Sequence, residues 1–118
     1  MDLVAFLGTD KENLGQITAL INRGEWDQVV LVKNKETPEL AASKSYKTIS
    51  INALADLISL KQEMQEKLKR ELGNSFEVAL SLASGTGKEH MALISALLSI
   101  PVGIKITAFT KKGIEFIC

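Results

Sequence analysis

The sequence predicts a three-layer α/β domain with a mostly parallel six-stranded sheet that closes on an antiparallel hairpin. Three observations predict it. Continuous apolar runs, such as Leu3–Leu7 and Val29–Val32, read as strands buried on both faces. Stretches with apolar residues at helical spacing alternate with them, so successive strands are joined by parallel crossovers. Two turns of nearly the same spelling, Gly8-Thr9-Asp10-Lys11-Glu12 and Gly85-Thr86-Gly87-Lys88-Glu89, follow the first and the fourth strand.

Leu3–Leu7 is the first strand. Leu14, Ile17, Leu20 and Ile21 mark the first helix, with Gly24 as its C-terminal stop. Trp26–Val32 forms the second strand. Lys33–Ser45 is polar, contains Pro38 and reads as a loop with one helical turn at Glu39–Ala42. Tyr46–Ile51 alternates and is β-branched, which suits an edge strand. Asn52 then caps a long helix whose buried stripe is Leu54, Leu57, Ile58, Met64, Leu68 and Leu72, and Gly73 stops it. The mixed charges on its other face, Lys61–Glu71, belong to a solvated surface.

Phe76–Leu82 is the fourth strand. The next helix, His90–Ser99, is apolar on nearly every side, so it is buried under the sheet or against a second subunit. Val102–Phe109 and Ile114–Ile117 are the last strands, and the short link Thr110–Gly113 makes them a hairpin. A chain of this order winds one way from its first strand and then the other, giving a Rossmann-like sheet in the order 3-2-1-4-5-6. Residues 1–118 carry no linker or boundary, so one domain is expected.

The composition excludes several function classes. The 118 residues are 46% hydrophobic and 24% charged, with 14 basic and 14 acidic residues and no formal net charge. A broad grip on duplex nucleic acid needs a basic face and is not expected. One histidine and one cysteine, His90 and Cys118, give neither metal-ligand spacing nor an intrachain disulfide, so no metal is expected. The start lacks a leader pattern, and no apolar run is long enough for a membrane span. A cytoplasmic protein with no membrane partner is expected.

The two similar turns carry the chemistry. In an alternating α/β sheet, ligands sit outside the carboxyl ends of the strands at the switch point, between strands one and four. Both turns stand there, each a strand–turn–helix junction whose free N–H groups and helix dipole suit an anion. Thr9 with Glu12 and Thr86 with Glu89 have capping-box spacing. Lys11 and Lys88 fall in the first helical turn, where a cation opposes the dipole unless an anion is bound. Gly8, Thr9, Asp10, Lys11, Ser84, Gly85, Thr86, Gly87, Lys88 and His90 are the candidate ligand-binding residues. Asp10 is an acid–base candidate or a structural residue of its loop; His90 faces the ligand or stands as an ordinary helix residue.

Two phosphate motifs fail. A P-loop needs glycine at 82 and Ser or Thr at 89, where Leu82 and Glu89 stand. The dinucleotide fingerprint is also missing after the first strand, so no cofactor is expected. With one histidine, Ser81 and Ser84 lack a base and orienter set for nucleophilic chemistry.

The strand running into Ser84-Gly85-Thr86-Gly87-Lys88, followed by Met91-Ala92-Leu93 opening an apolar helix and a final hairpin, resembles the CRISPR-associated Rossmann fold (CARF) domain. In that family the turn more often reads Gly-Gly-Thr/Ser-Lys/Arg; here Thr86 and Gly87 are exchanged. The resemblance implies a homodimer of antiviral defence that binds a cyclic oligoadenylate across its dyad. Gly8, Thr9 and Asp10 would line one side and Ser84–Lys88 the other. Such a stand-alone domain resembles either a sensor or a metal-independent ring nuclease. In the nuclease a substrate 2′-hydroxyl attacks the neighbouring phosphate, with Lys88, Thr9 and Lys11 as stabilisers. A third reading, an assembly subunit with merely capped loops and no ligand, follows from the apolar last helix.

Overall fold

β1 (Asp2–Leu7) is buried at every residue because it lies in the middle of the sheet with a helical layer on each side. The computed structural model describes residues 1–118. After β1 come a 3₁₀ turn (Lys11–Asn13), α1 (Leu14–Arg23), β2 (Val29–Asn34), β3 (Lys47–Ile51), α2 (Leu57–Leu72), β4 (Glu77–Ser81), α3 (Gly87–Leu98), β5 (Gly103–Thr110) and β6 (Gly113–Phe116). The sheet order is β3-β2-β1-β4-β5-β6, parallel throughout except for the β5–β6 hairpin. The expected fold class, order and hairpin are all present.

Strand parity sorts the core into two layers, since successive side chains point to opposite faces. Val4 and Phe6 of β1, Val30 and Val32 of β2, and Val78 and Leu80 of β4 face α2 and α3. Leu3, Ala5, Leu7, Val29, Leu31 and Ala79 face α1, through its Ile17, Leu20 and Ile21. α2 contributes Leu60, Met64, Leu68 and Leu72, and α3 contributes Ala92, Leu93, Ala96 and Leu97. Each fully buried Leu or Ile side chain stabilises the fold by roughly 1.5–3 kcal/mol, so this two-sided burial sets the architecture.

Several boundaries differ from the sequence expectation for identifiable reasons. Asn52 does not cap α2. Its Oδ1 accepts from Leu54 N at 3.1 Å and its carbonyl from Ala55 N at 3.1 Å, forming a turn that delays the helix. Asp56 is the N-cap, accepting from Ser59 N at 3.0 Å. Leu54 and Ile58, expected in the buried stripe, are 90% and 65% exposed. Glu39–Ala42 is not helical; instead the Tyr46 hydroxyl donates to the Leu40 carbonyl. Trp26 does not open β2 but precedes it, its Nε1 donating to Leu20 O at 2.7 Å. Phe76 lies outside β4 and is 94% exposed. α3 begins at Gly87, earlier than His90, and is covered on one side only: Met91 and Leu98 remain exposed.

β5 is tied to α1 at Phe109, whose ring lies 5.3 Å from the Arg23 guanidinium and whose backbone meets Gln16. Gln16 Nε2 donates to Phe109 O at 2.6 Å and its Oε1 accepts from Phe109 N at 3.0 Å, extending the β4-facing edge of β5 past the last β4 pair at Ile106. Gln16→Ala is expected to lower stability by about 1–2 kcal/mol, read as a lower urea midpoint; an unchanged midpoint would show that water replaces both bonds. No helix is long and apolar enough to cross a membrane.

Candidate functional site

β1 and β4 are adjacent and in register, with Ala5 opposite Ser81, so the loops that follow them leave the sheet side by side. They touch. A Cβ built on Gly8 would lie 2.8 Å from Gly85 N and 2.9 Å from Gly85 Cα, a backbone approach that only glycine permits. Gly85 itself has φ +107°, a left-handed conformation that side chains disfavour. A Cβ there would meet Phe6 Cδ1 at 2.8 Å.

Asp10 and Ser84 latch the two loops. The Ser84 hydroxyl donates to Asp10 Oδ1 at 2.6 Å and accepts from Gly8 N at 2.9 Å. Gly85 N also donates to Asp10 Oδ1, at 3.0 Å, and Asn13 Nδ2 donates to Asp10 Oδ2 at 2.7 Å. Partial burial alone would raise the Asp10 pKa; the donors from Ser84, Asn13 and Gly85 override it and bring it down to about 2. At neutral pH this carboxylate holds no proton to give and its oxygens are occupied. Asp10 is a latch, not an acid–base group. Ser84 is wholly buried with its hydroxyl saturated, so it is no nucleophile either.

The two similar turns have different local structures. Around Thr86 the capping box forms: Thr86 Oγ1 accepts from Glu89 N at 3.2 Å, and Glu89 Oε1 from Thr86 N at 2.8 Å. Around Thr9 it does not. Asp10 and Asn13, the residues placed to cap there, bind each other and the β4 loop instead, and neither caps a helix with its side chain. Lys11 therefore sits in a 3₁₀ turn rather than in the first turn of α1.

Thr9, Lys11, Thr86, Gly87 and Lys88 are exposed around the latch. Gly87 and Lys88 are the first two residues of α3, whose N–H groups have no partner within the helix. The Lys88 ammonium is turned away to the β3–α2 connection, donating to Ala53 O at 3.1 Å and Ala55 O at 2.5 Å. His90 also points inward: its Nε2 donates to Ser84 O at 2.6 Å, which fixes the proton on that nitrogen and holds the turn. The site thus joins Gly8, Asp10, Ser84, Gly85 and His90 as its frame, whereas Thr9 and Lys11 line a cavity with Leu14, Pro38 and Leu40 and the Lys88 ammonium lies on the β3–α2 connection.

No family model matches the chain, and no curated protein matches it. Among solved structures, it is similar to the C-terminal domain of a hydrogenase from Pyrococcus furiosus, with 16% identity, a TM-score of 0.47 and 89% of each chain covered. That likeness is too distant to bear on function.

One group the sequence pattern did not mark is Lys33. β2 runs to Asn34, so the residue expected to begin a loop is the fifth of a strand, in register with Leu7. Its parity with Val29 and Leu31 turns it to the α1 side. It is 5% exposed, and its Nζ donates to Thr37 O at 2.8 Å. A cation closing an apolar run, at the parity of buried residues, is the signal that finds it. Two larger open depressions, of about 650 and 740 Å³, lie around Trp26 and Asp2 at the amino ends of the strands, opposite the edge where α/β sheets hold ligands.

Proposed function

We propose that this chain is a CARF-like sensing domain that binds a cyclic oligoadenylate, or a similar phosphate-bearing ligand, as a homodimer of the antiviral defence type. One observation carries the reading. The loops after β1 and β4 are joined by the Asp10–Ser84–Gly85 latch at the switch point of the sheet, leaving the start of α3 exposed at Gly87 and Lys88. A phosphate there would take the Gly87 and Lys88 N–H groups and the α3 dipole. Exposed Leu54, Ile58, Met91 and Leu98 on the α2–α3 side suit pairing with a second copy.

The sensor is favoured over the ring nuclease by the position of Lys88. Its ammonium is committed to two carbonyls and would have to leave both before it met a developing charge. Cyclic oligoadenylates of several ring sizes test the proposal. At a hundredfold excess over Kd, binding adds about 2.7 kcal/mol, which raises Tm by roughly 10 °C for a domain of this size. The ligand is expected back intact. Lys88→Ala is expected to weaken retention by less than about threefold if the side chain stays on its carbonyls. Linear products would favour the nuclease, and loss of turnover in Lys88→Ala well beyond loss of binding would place Lys88 in its transition state. No thermal shift with any ring size would leave the assembly-subunit reading.

A further inference from the structure

The two edges of the sheet are finished differently. β3 and β6 are its end strands, and an end strand presents backbone N–H and C=O groups that a further strand can take. On β3, Lys35 N donates to the Ile51 carbonyl, so Ile51 points to β2 and its neighbours Ser50 and Asn52 point outward. α2 occupies both: Lys67 Nζ donates to Ser50 O at 2.7 Å, and Glu63 Oε1 accepts from Asn52 N at 3.1 Å. That edge is closed.

β6 has no such cover. Ile117 N donates to Ile106 O at 2.7 Å, which fixes the phase of the antiparallel ladder. Ala108–Glu115 and Thr110–Gly113 are its hydrogen-bonded pairs, and Thr107–Phe116 and Phe109–Ile114 are not. The N–H and C=O groups of Ile114 and Phe116 therefore face away from β5. Side-chain bonds around β6 go elsewhere, from Thr107 Oγ1 to Glu115 O at 2.9 Å and from Thr110 Oγ1 to Glu115 Oε2 at 2.6 Å. Two donors and two acceptors stay open, beside the exposed side chains of Phe116 and Ile117.

Charge decides what fits them. Lys105, Lys111 and Lys112 are exposed around this edge, and none belongs to an ion pair. Lys105 Nζ lies 6.0 Å from the centre of the Phe116 ring. Glu115, the one acid of the strand, is held by the Thr110 hydroxyl. The edge is thus basic, so a second copy would set like charges together, whereas an acidic strand meets opposite charge.

We propose that the open edge of β6 receives an extended acidic segment of a partner protein as a seventh strand. Its main chain bonds to Ile114 and Phe116, an apolar side chain lies on Phe116, and its carboxylates lie near Lys105 and the Lys111–Lys112 tip. The main chain supplies the affinity and the lysines the choice of charge. β6 stands two strands from β4, so this surface is independent of nucleotide binding at α3.

The peptide acetyl-Glu-Val-Thr-Val-Glu-amide tests the assignment by NMR titration and amide hydrogen exchange. In the free protein the Ile114 and Phe116 amides should exchange at least about tenfold faster than the Glu115 amide, which is paired to Ala108. Saturating peptide should slow both at least about tenfold and leave Glu115 unchanged. The same peptide with lysine at both ends should bind at least about fivefold more weakly at low salt, and the difference should shrink at high salt. Phe116→Pro removes an outward donor without touching the ladder and should weaken binding at least about fivefold. Should Phe116→Pro fail to fold, N-methylation of both peptide valines blocks the same bonds on the unchanged protein and should abolish binding. Equal affinity for the acidic and basic peptides, undiminished binding of the N-methylated one, or shifts confined to other strands overturns the proposal. So does protection of Ile114 and Phe116 that rises with protein concentration alone, which would place a second copy there.

Discussion

Phe6→Ala is expected to lower the unfolding free energy by about 3–5 kcal/mol, the cost of removing a fully buried aromatic side chain. Phe6 has no solvent exposure and packs in the α2–α3 layer of the core, yet it also sits directly beneath Gly85, where an added Cβ would come within 2.8 Å of its ring. The same ring fills the centre of the domain and shapes the turn that opens α3. Urea unfolding should show a lower midpoint with an unchanged slope; a loss below about 1 kcal/mol would mean that the core collapses onto the vacancy. Gly85→Ala alone should cost about 2 kcal/mol, from its left-handed φ and from crowding against Phe6. Only the crowding part depends on the ring. Combining Gly85→Ala with Phe6→Leu should therefore cost less than the sum of the two changes.

Asp10→Ala should cost about 2–4 kcal/mol, because it strips acceptors from three donors at once and leaves the proton of the wholly buried Ser84 hydroxyl without an acceptor. Its pH signature is distinct. The folded-state pKa lies near 2, below the ordinary value of 3.8, so the unfolded chain takes up the proton first. The stability that Asp10 supplies is complete above about pH 4 and fades as the pH falls toward 2. Asp10→Asn keeps an acceptor for Ser84 but sets an amide against Asn13, and it should flatten this acid limb. A variant whose acid limb matches the wild type would show that Asp10 is not the titrating latch.

The topology was legible because burial on both faces leaves an unmistakable trace. Val29-Val-Leu-Val32 and Leu3-Val-Ala-Phe-Leu7 have no polar residue to spare for solvent, and helices between them force parallel pairing. The meeting of the two turns followed from that order alone. What the side chains do there was not legible. Thr9 and Thr86 share the same spacing to a glutamate, yet only Thr86 forms its box, because Asp10 is drawn across by donors that stand 74 and 75 residues away in the chain. Lys88 ends on carbonyls of the β3–α2 connection, a partner that local pattern does not reveal. Leu54 and Ile58 carry the right spacing for a helix that starts at Asn52, but the Asn52 turn moves the start to Leu57 and leaves both in water. Lys33 was hidden by one more strand residue than its polarity implies.

The latch sets the manner in which this edge can receive a guest. Its loops are cross-braced in the free chain, from Gly8 through Ser84 and Asp10 to Asn13, so little backbone freedom remains to be lost on contact. Association at the start of α3 should then proceed as a single kinetic step without a slow isomerisation phase. Loosening the brace should slow arrival more than it hastens departure.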